Sequence, residues 1–275
     1  MRRFALVSVV LALAVGGCGG SESSSDPSDA LADTARNLGE IRSGKLGLRL
    51  TAGSDGDEAG FVLEGPFAFA ESADELPLAD LEYTQAAGAE SETVRFVSTG
   101  QQAFVVVAGQ AYELPEDRVA TLRGTGAGTG GADGLAELRI GDWFLDPELS
   151  DGGAVGGAET DRIRAGLDVV ATANDLLELA GALGSDAGGP LDGDSGEQLR
   201  RAVESATVEV YTGKDDRLLR RLIVEASFRA APPPELDEAF ADLPNADFRL
   251  ELTIADPNSD VEVEGPANAQ PLPGG

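Results

Sequence analysis

Leu46, Leu48 and Leu50 alternate with Lys45, Gly47, Arg49 and Thr51, and this period of two returns along most of the chain. A strict alternation of apolar and polar residues is the pattern of a strand with one dry face and one wet face. Phe61, Leu63, Phe67 and Phe69 continue it, with Gly65 in the fifth place. Leu81 with Tyr83, Val94 with Phe96, and Phe104 with Val106 follow. Turn-rich stretches such as Ser54-Asp55-Gly56-Asp57 and Thr99-Gly100 separate these runs, which predicts an antiparallel meander. Late in the chain the alternation is clearer. Leu218, Leu222, Val224, Ala226 and Phe228 oppose Arg221, Glu225, Ser227 and Arg229, and Phe248, Leu250, Leu252 and Ile254 oppose Asp247, Arg249, Glu251 and Thr253. Val261 and Val263 are expected to close the sheet.

Between these halves the period lengthens to that of a helix. Val169, Val170, Ala173, Leu176, Leu177, Ala180 and Leu183 mark the strongest amphipathic stretch. Shorter helices are expected at Leu31–Ile41, at Pro115–Leu122, through Leu199, Val203 and Ala206, and after Pro232-Pro233-Pro234 on Leu236, Phe240 and Leu243. Ala158 to Val169 reads as a strand. Glycine-rich loops are expected at Gly124–Gly134 and Gly184–Gly196. Strands, helices, then strands again indicate an α+β fold, with helices against one face of the sheet.

Composition narrows the chemistry. The net charge of −29 argues against a nucleic-acid surface, which needs clustered cations. There is no histidine and one cysteine, so His-based triads, His metal sites and an internal disulfide are excluded. At 42% hydrophobic the chain is still rich enough to build a core. The expectation is a protein that is not an enzyme and uses no metal or cofactor.

The cysteine stands at an informative place. Arg2 and Arg3 precede an apolar run, Phe4 to Val15, and then Gly16-Gly17-Cys18. This is the anatomy of a secretory signal, too short for a spanning helix. Val15-Gly16-Gly17-Cys18 resembles the lipobox of bacterial lipoproteins, which implies cleavage after residue 17 and lipidation of Cys18. Acyl chains would then anchor the protein to the membrane on its extracytoplasmic side, with the polar Gly19–Asp29 stretch as a tether. Loss of Arg2 and Arg3 takes the net charge to −31, so anionic head groups would repel the body and the lipid alone would hold it. The expected organisation is a signal peptide (1–17), a lipidated tether (18–30), one domain (31–265) and a C-terminal tail (266–275).

Several segments together carry a family resemblance. Phe61 to Phe69 (FVLEGPFAF), Ala158 to Val169 (AETDRIRAGLDV), the strand pair Ala206 to Phe228 around Lys214-Asp215-Asp216-Arg217, and the ending from Leu252 to Pro266 (LTIADPNSDVEVEGP) are the segments concerned. With the lipobox, they resemble the actinobacterial LppX/LprG/LprA/LprF lipoproteins and the wider LolA-like lipoprotein carriers. The resemblance implies a half-barrel, a curved antiparallel sheet with helices across its concave side, and an apolar cavity between them for acyl chains. The residues expected to line it are Phe61, Leu63, Phe67, Phe69, Tyr83, Phe96, Phe104, Val106, Trp143, Val169, Ala173, Leu176, Leu177, Ala180, Phe228 and Phe248. Implied partners are a lipid or lipoglycan, the membrane through Cys18, and an envelope transport protein. The other reading is an envelope lipoprotein with a filled core that recruits or senses a partner protein.

Three further motifs are weak. Gly126-Ala-Gly128-Thr-Gly130-Gly131 matches the dinucleotide fingerprint but lacks the strand–helix setting it requires. Asp192-Gly193-Asp194-Ser195-Gly196-Glu197 starts like a calcium loop, yet Glu197 and Val203 stand where glycine and glutamate are needed. Glu159 and Asp161 would share a strand face, with Arg162 and Arg164 nearby; a charged surface explains them without catalysis.

Overall fold

In the computed structural model the alternating segments are strands of a single sheet. The structure describes residues 26–54, 57–70, 72, 74–87, 90–128, 138–182, 189–191, 193–230 and 246–272. Strands β1 (Ser43–Ser54), β2 (Asp57–Ala68), β3 (Leu78–Ala87), β4 (Glu90–Thr99), β5 (Ala103–Val107) and β6 (Gln110–Glu113) form the meander. β7 (Phe144–Val155), β8 (Ala158–Leu167), β9 (Val203–Gly213), β10 (Leu219–Phe228) and β11 (Asp247–Ala255) form the second half, and β12 is Gln270–Pro271. The spatial order is β12-β6-β5-β4-β3-β2-β1-β11-β10-β9-β8-β7. Neighbours are antiparallel except β12, which runs parallel to β6. β1 therefore joins the two halves by pairing with β11, as Leu48 with Leu252. The sheet is curved and unclosed, and the fold is the expected α+β class.

Backbone chemistry sets the meander. At Ala108 and Gly109 both φ angles are positive (50° and 79°), which closes the β5–β6 hairpin in two residues and matches strand twist. Gly65 has φ +142°, and a Cβ there would stand 2.0 Å from the Asp80 carbonyl oxygen. The glycine gap in the aromatic face of β2 is thus where β3 passes too close for a side chain.

Among the described residues four helices lie on the concave face: α1 (Pro27–Asn37), α2 (Glu116–Gly128), α3 (Val169–Ala182) and α4 (Gly193–Ala202). Asp26 caps α1 through Ser28 N (2.8 Å), with proline at the first turn. Asp168 caps α3 through the amides of Val170 and Ala171 (both 3.1 Å). The helices form two groups. α1 and the 3-10 turn Ile140–Trp143 join the main core with Ile163, Val208, Val210, Leu222 and Val224, while α4 with Val170 and Leu191 packs near Phe228. On the other side α2 places Val119 against Leu76 and Ala103.

Some boundaries differ from the sequence reading. α1 starts at Pro27, inside the stretch read as tether, because Asp26-Pro27 is itself a helix start. α2 runs on to Gly128 through residues read as loop. Likewise Gly193–Ala202 is helical, since Leu199 and Ala202 bury one face, and Arg200 and Arg201 suit the carbonyl end. Val203 and Ala206 belong to β9, paired with Phe228 and Ala226. Val261 and Val263 make no ladder. Residues 256–269 instead form a strap that leaves β11 near Ser43 and passes the ends of β4 and β5, so that Gln270 and Pro271 pair with Tyr112 and Glu113. The segment with Leu236, Phe240 and Leu243, residues 129–134, 184–188 and 192 of the two glycine-rich loops, Leu183, and Cys18 lie outside the described residues.

Candidate functional site: an apolar belt on the concave face

Cross-strand register aligns one apolar residue from each of ten strands on the concave face. The row runs Leu149, Ile163, Val210, Leu222, Leu252, Leu48, Leu63, Tyr83, Val94, Val107, from β7 to β5. Leu149 at the β7 edge is half-buried, and from Ile163 onward burial falls along the row. Ile163 and Val210 are 0% exposed beneath the α1 side. Leu252, Leu48, Leu63, Tyr83 and Val94 are half-buried, and Val107 at the hairpin tip is 37% exposed. The half-buried part, from β11 to β5, spans five inter-strand steps of about 4.8 Å, or roughly 24 Å. A parallel row through Val208, Val224, Leu250, Leu50 and Phe61 ends on the polar Gln85 and Glu92. Phe61 stacks obliquely on Tyr83, centroids 5.5 Å apart, and the Tyr83 hydroxyl lies 3.5 Å from Gln85 Oε1. The belt therefore has a packed end, an accessible middle and a polar rim.

The expected lining residues divide accordingly. Phe61, Leu63, Phe67, Tyr83 and Phe96 face the concave side, with Phe67 buried and in an edge-on pair with Phe69 (5.3 Å). Phe248 lies in the β11 part of that face and packs on the main core. Val169 and Leu176 of α3 are half-buried against the main core, and Ala173 and Leu177 lean with Phe228 on the α4 cluster. Ala180 follows in the last turn of α3.

Phe104 and Val106 do not line this face. Phe104 pairs with Val97 and Val106 with Arg95, while Phe96 pairs with Val105. Directly opposed residues share a face, so Phe104 and Val106 project on the convex side. Phe104 is nevertheless only 5% exposed, because the strap covers it; a Cβ on Gly265 would lie 3.2 Å from its ring. Trp143 is not a lining residue either. It is 1% exposed, and its Nε1 donates to Asp175 Oδ2 at 2.8 Å.

Asp175, 6% exposed, was not singled out by the sequence. Besides Trp143 it accepts from Arg139 N and Nε (both 3.1 Å) and Nη2 (2.5 Å). These bonds fasten the 3-10 turn to α3, and the hydrogen bond and charge of Asp175 raise the Arg139 pKa. The signal was present: an aspartate inside the amphipathic helix, opposite the one tryptophan. A second tie, Thr34 Oγ1 to Thr212 Oγ1 at 2.9 Å, holds α1 to β9 with both residues fully buried.

The weak motifs dissolve into structure. Gly126 and Gly128 sit at the carbonyl end of α2, where a phosphate would meet the wrong pole. Asp194 opens α4 instead of a calcium loop. Asp161 accepts from Arg217 Nη1 at 2.6 Å with both side chains largely buried, a structural ion pair.

No family model and no curated protein matches this sequence. The half-barrel arrangement does have likenesses among solved structures. The chain is similar to LprF from Mycobacterium bovis, at 10% identity over 88% of this chain and 97% of that one, TM-score 0.44. It is similar to the Mycobacterium tuberculosis lipoprotein LppX, at 14% identity over 86% and 98%, TM-score 0.39. A fainter likeness links it to the Pseudomonas aeruginosa MucA/MucB complex, at 14% identity over 87% of this chain and 62% of that one, TM-score 0.26.

Proposed function

We propose that the protein is a lipoprotein of the bacterial envelope, anchored through acyl chains on Cys18, that holds the acyl chains of a lipid or lipoglycan along the half-buried belt. The observation that carries the reading is the burial gradient: the same apolar row is sealed under helices at β8–β9 and accessible from β11 to β5. A wholly filled core would seal both parts. Desolvating an extended alkyl chain against this surface supplies about 25 cal/mol per Å², and no bond need be made or broken. Gln85 and Glu92 at the rim would leave the head group in water.

Displacement of a fluorescent long-chain fatty acid tests the reading. Leu63→Glu is expected to weaken uptake by more than about tenfold, since a buried carboxylate and an acyl chain cannot share one site. Its melting temperature should stay near the parent value because Leu63 is already half in water. Unchanged uptake in Leu63→Glu would remove the belt as the site. Separately, Cys18→Ser should release the protein from the membrane fraction.

A further inference from the structure

The convex face carries a site of different chemistry. A trough of about 460 Å³ crosses β1, β11, β10, β9 and β8. Register sets Thr51, Arg249, Glu225 and Thr207 in one row across it, and Asp247, Ser227 and Ser205 in the next. Arg164 completes the lining on β8. Its volume lies in the range of small-ligand sites, but the projecting groups are hydroxyls and charges in place of apolar walls.

The charges cancel. Arg249 pairs with Glu225 and, at 3.0 Å, with Glu251. Arg164 stands 3.4 Å from Glu209, and Asp247 accepts from Ser227 Oγ at 2.7 Å. On a chain of net charge −29 the trough is thus locally neutral, with two arginines against Glu225 and Asp247. Its arginines are engaged by Glu225, Glu251 and Glu209, which disfavours an anion. With Asp247 accepting from Ser227, each nearby carboxylate already has a donor, which disfavours a cation. What remains free is hydroxyl capacity: the side chains of Thr51, Ser205 and Thr207 make no hydrogen bond among the described residues. A hydroxyl both donates and accepts, and so does every hydroxyl of a sugar. A peptide fits less well, because these strands are paired on both sides and offer no edge to add to.

We propose that this trough binds a neutral carbohydrate, a short stretch of glycan lying across β1, β11, β10 and β9. The site is separate from the apolar belt and does not depend on the acyl-binding reading. The test is amide NMR of the full chain titrated with maltotetraose and chitotetraose, with an oligogalacturonate as the anionic comparison and an uncharged tetrapeptide as the peptide comparison. Saturable shifts centred on Thr51, Ser205, Thr207 and Ser227 are expected with at least one neutral sugar. The Thr51→Val/Thr207→Val variant, which keeps β-branched residues in the strands, should bind about tenfold more weakly while the remaining amides hold their positions. Absence of saturable shifts with both neutral sugars, equal or stronger response to the oligogalacturonate or the tetrapeptide, or undiminished binding by the variant would each overturn it.

Discussion

Asp175 shows how much a single residue can organise. A buried carboxylate is costly unless its lone pairs are filled, and here one backbone amide, one guanidinium and one indole fill them. Asp175→Ala leaves the Trp143 N–H unpaired in the core and is expected to cost about 3 kcal/mol in urea unfolding. Asp175→Asn keeps an acceptor oxygen and should cost less. The only tryptophan reports the change directly by fluorescence. A loss under about 0.5 kcal/mol for the alanine variant would show the network to be unimportant. At Glu251 burial pushes the carboxyl up, but the hydrogen bond from Arg249 and the charge of Arg221 bring it below the ordinary 4.5. A depressed acid stabilises the fold above its unfolded pKa and loses that contribution as pH falls through the folded value. The stability gap between the parent and Glu251→Gln should therefore be fully present at pH 6 and shrink below about pH 4.5. A gap that widens on acidification would contradict the assignment.

Among elements, β5 explains why the sequence was legible in most strands and misleading in one. In β1, β10 and β11 polar residues mark the wet face, so Leu48, Leu222 and Leu252 identify themselves as inward. β5 reads Ala-Phe-Val-Val-Val and has no polar face at all. Its phase is set by the hairpin pairing Ser98 with Ala103, which no periodicity within the strand discloses. The apolar outer face has a purpose that lies far away in sequence: the strap packs on it. Val261 and Val263 alternate as a strand would, and are half-buried as one would be, yet pair with nothing. Alternation reports a half-buried extended chain, not a ladder. Removing residues 256–275 should uncover Phe104 and, beside it in register, Val97, at a cost of about 2 kcal/mol or more. Thermal unfolding checks this, and a truncated chain as stable as the parent would refute the strap's role. Helix boundaries were missed for a related reason. Glycine counts against helix in isolation, but buried Gly196, and Leu199 and Ala202 beside it, follow the packing of α4.

At the scale of the molecule, one curved sheet separates two chemistries. Its concave face bears a ten-residue apolar row that is sealed at β8–β10 and accessible from β11 to β5, and its convex face bears ion pairs, hydroxyls and the strap. The class of fold and most of the inward residues could be read from periodicity. The division of the belt into filled and accessible parts could not, because it depends on where α1, α2 and the Ile140–Trp143 turn land. The most direct measurement is native mass spectrometry, with lipid extraction, of the full-length protein purified in mild detergent. The account predicts a stoichiometric acyl-bearing ligand that is retained by the Cys18→Ser protein and lost from Leu63→Glu. A ligand-free protein that also fails to take up added lipid, or a ligand whose occupancy ignores Leu63, would contradict it.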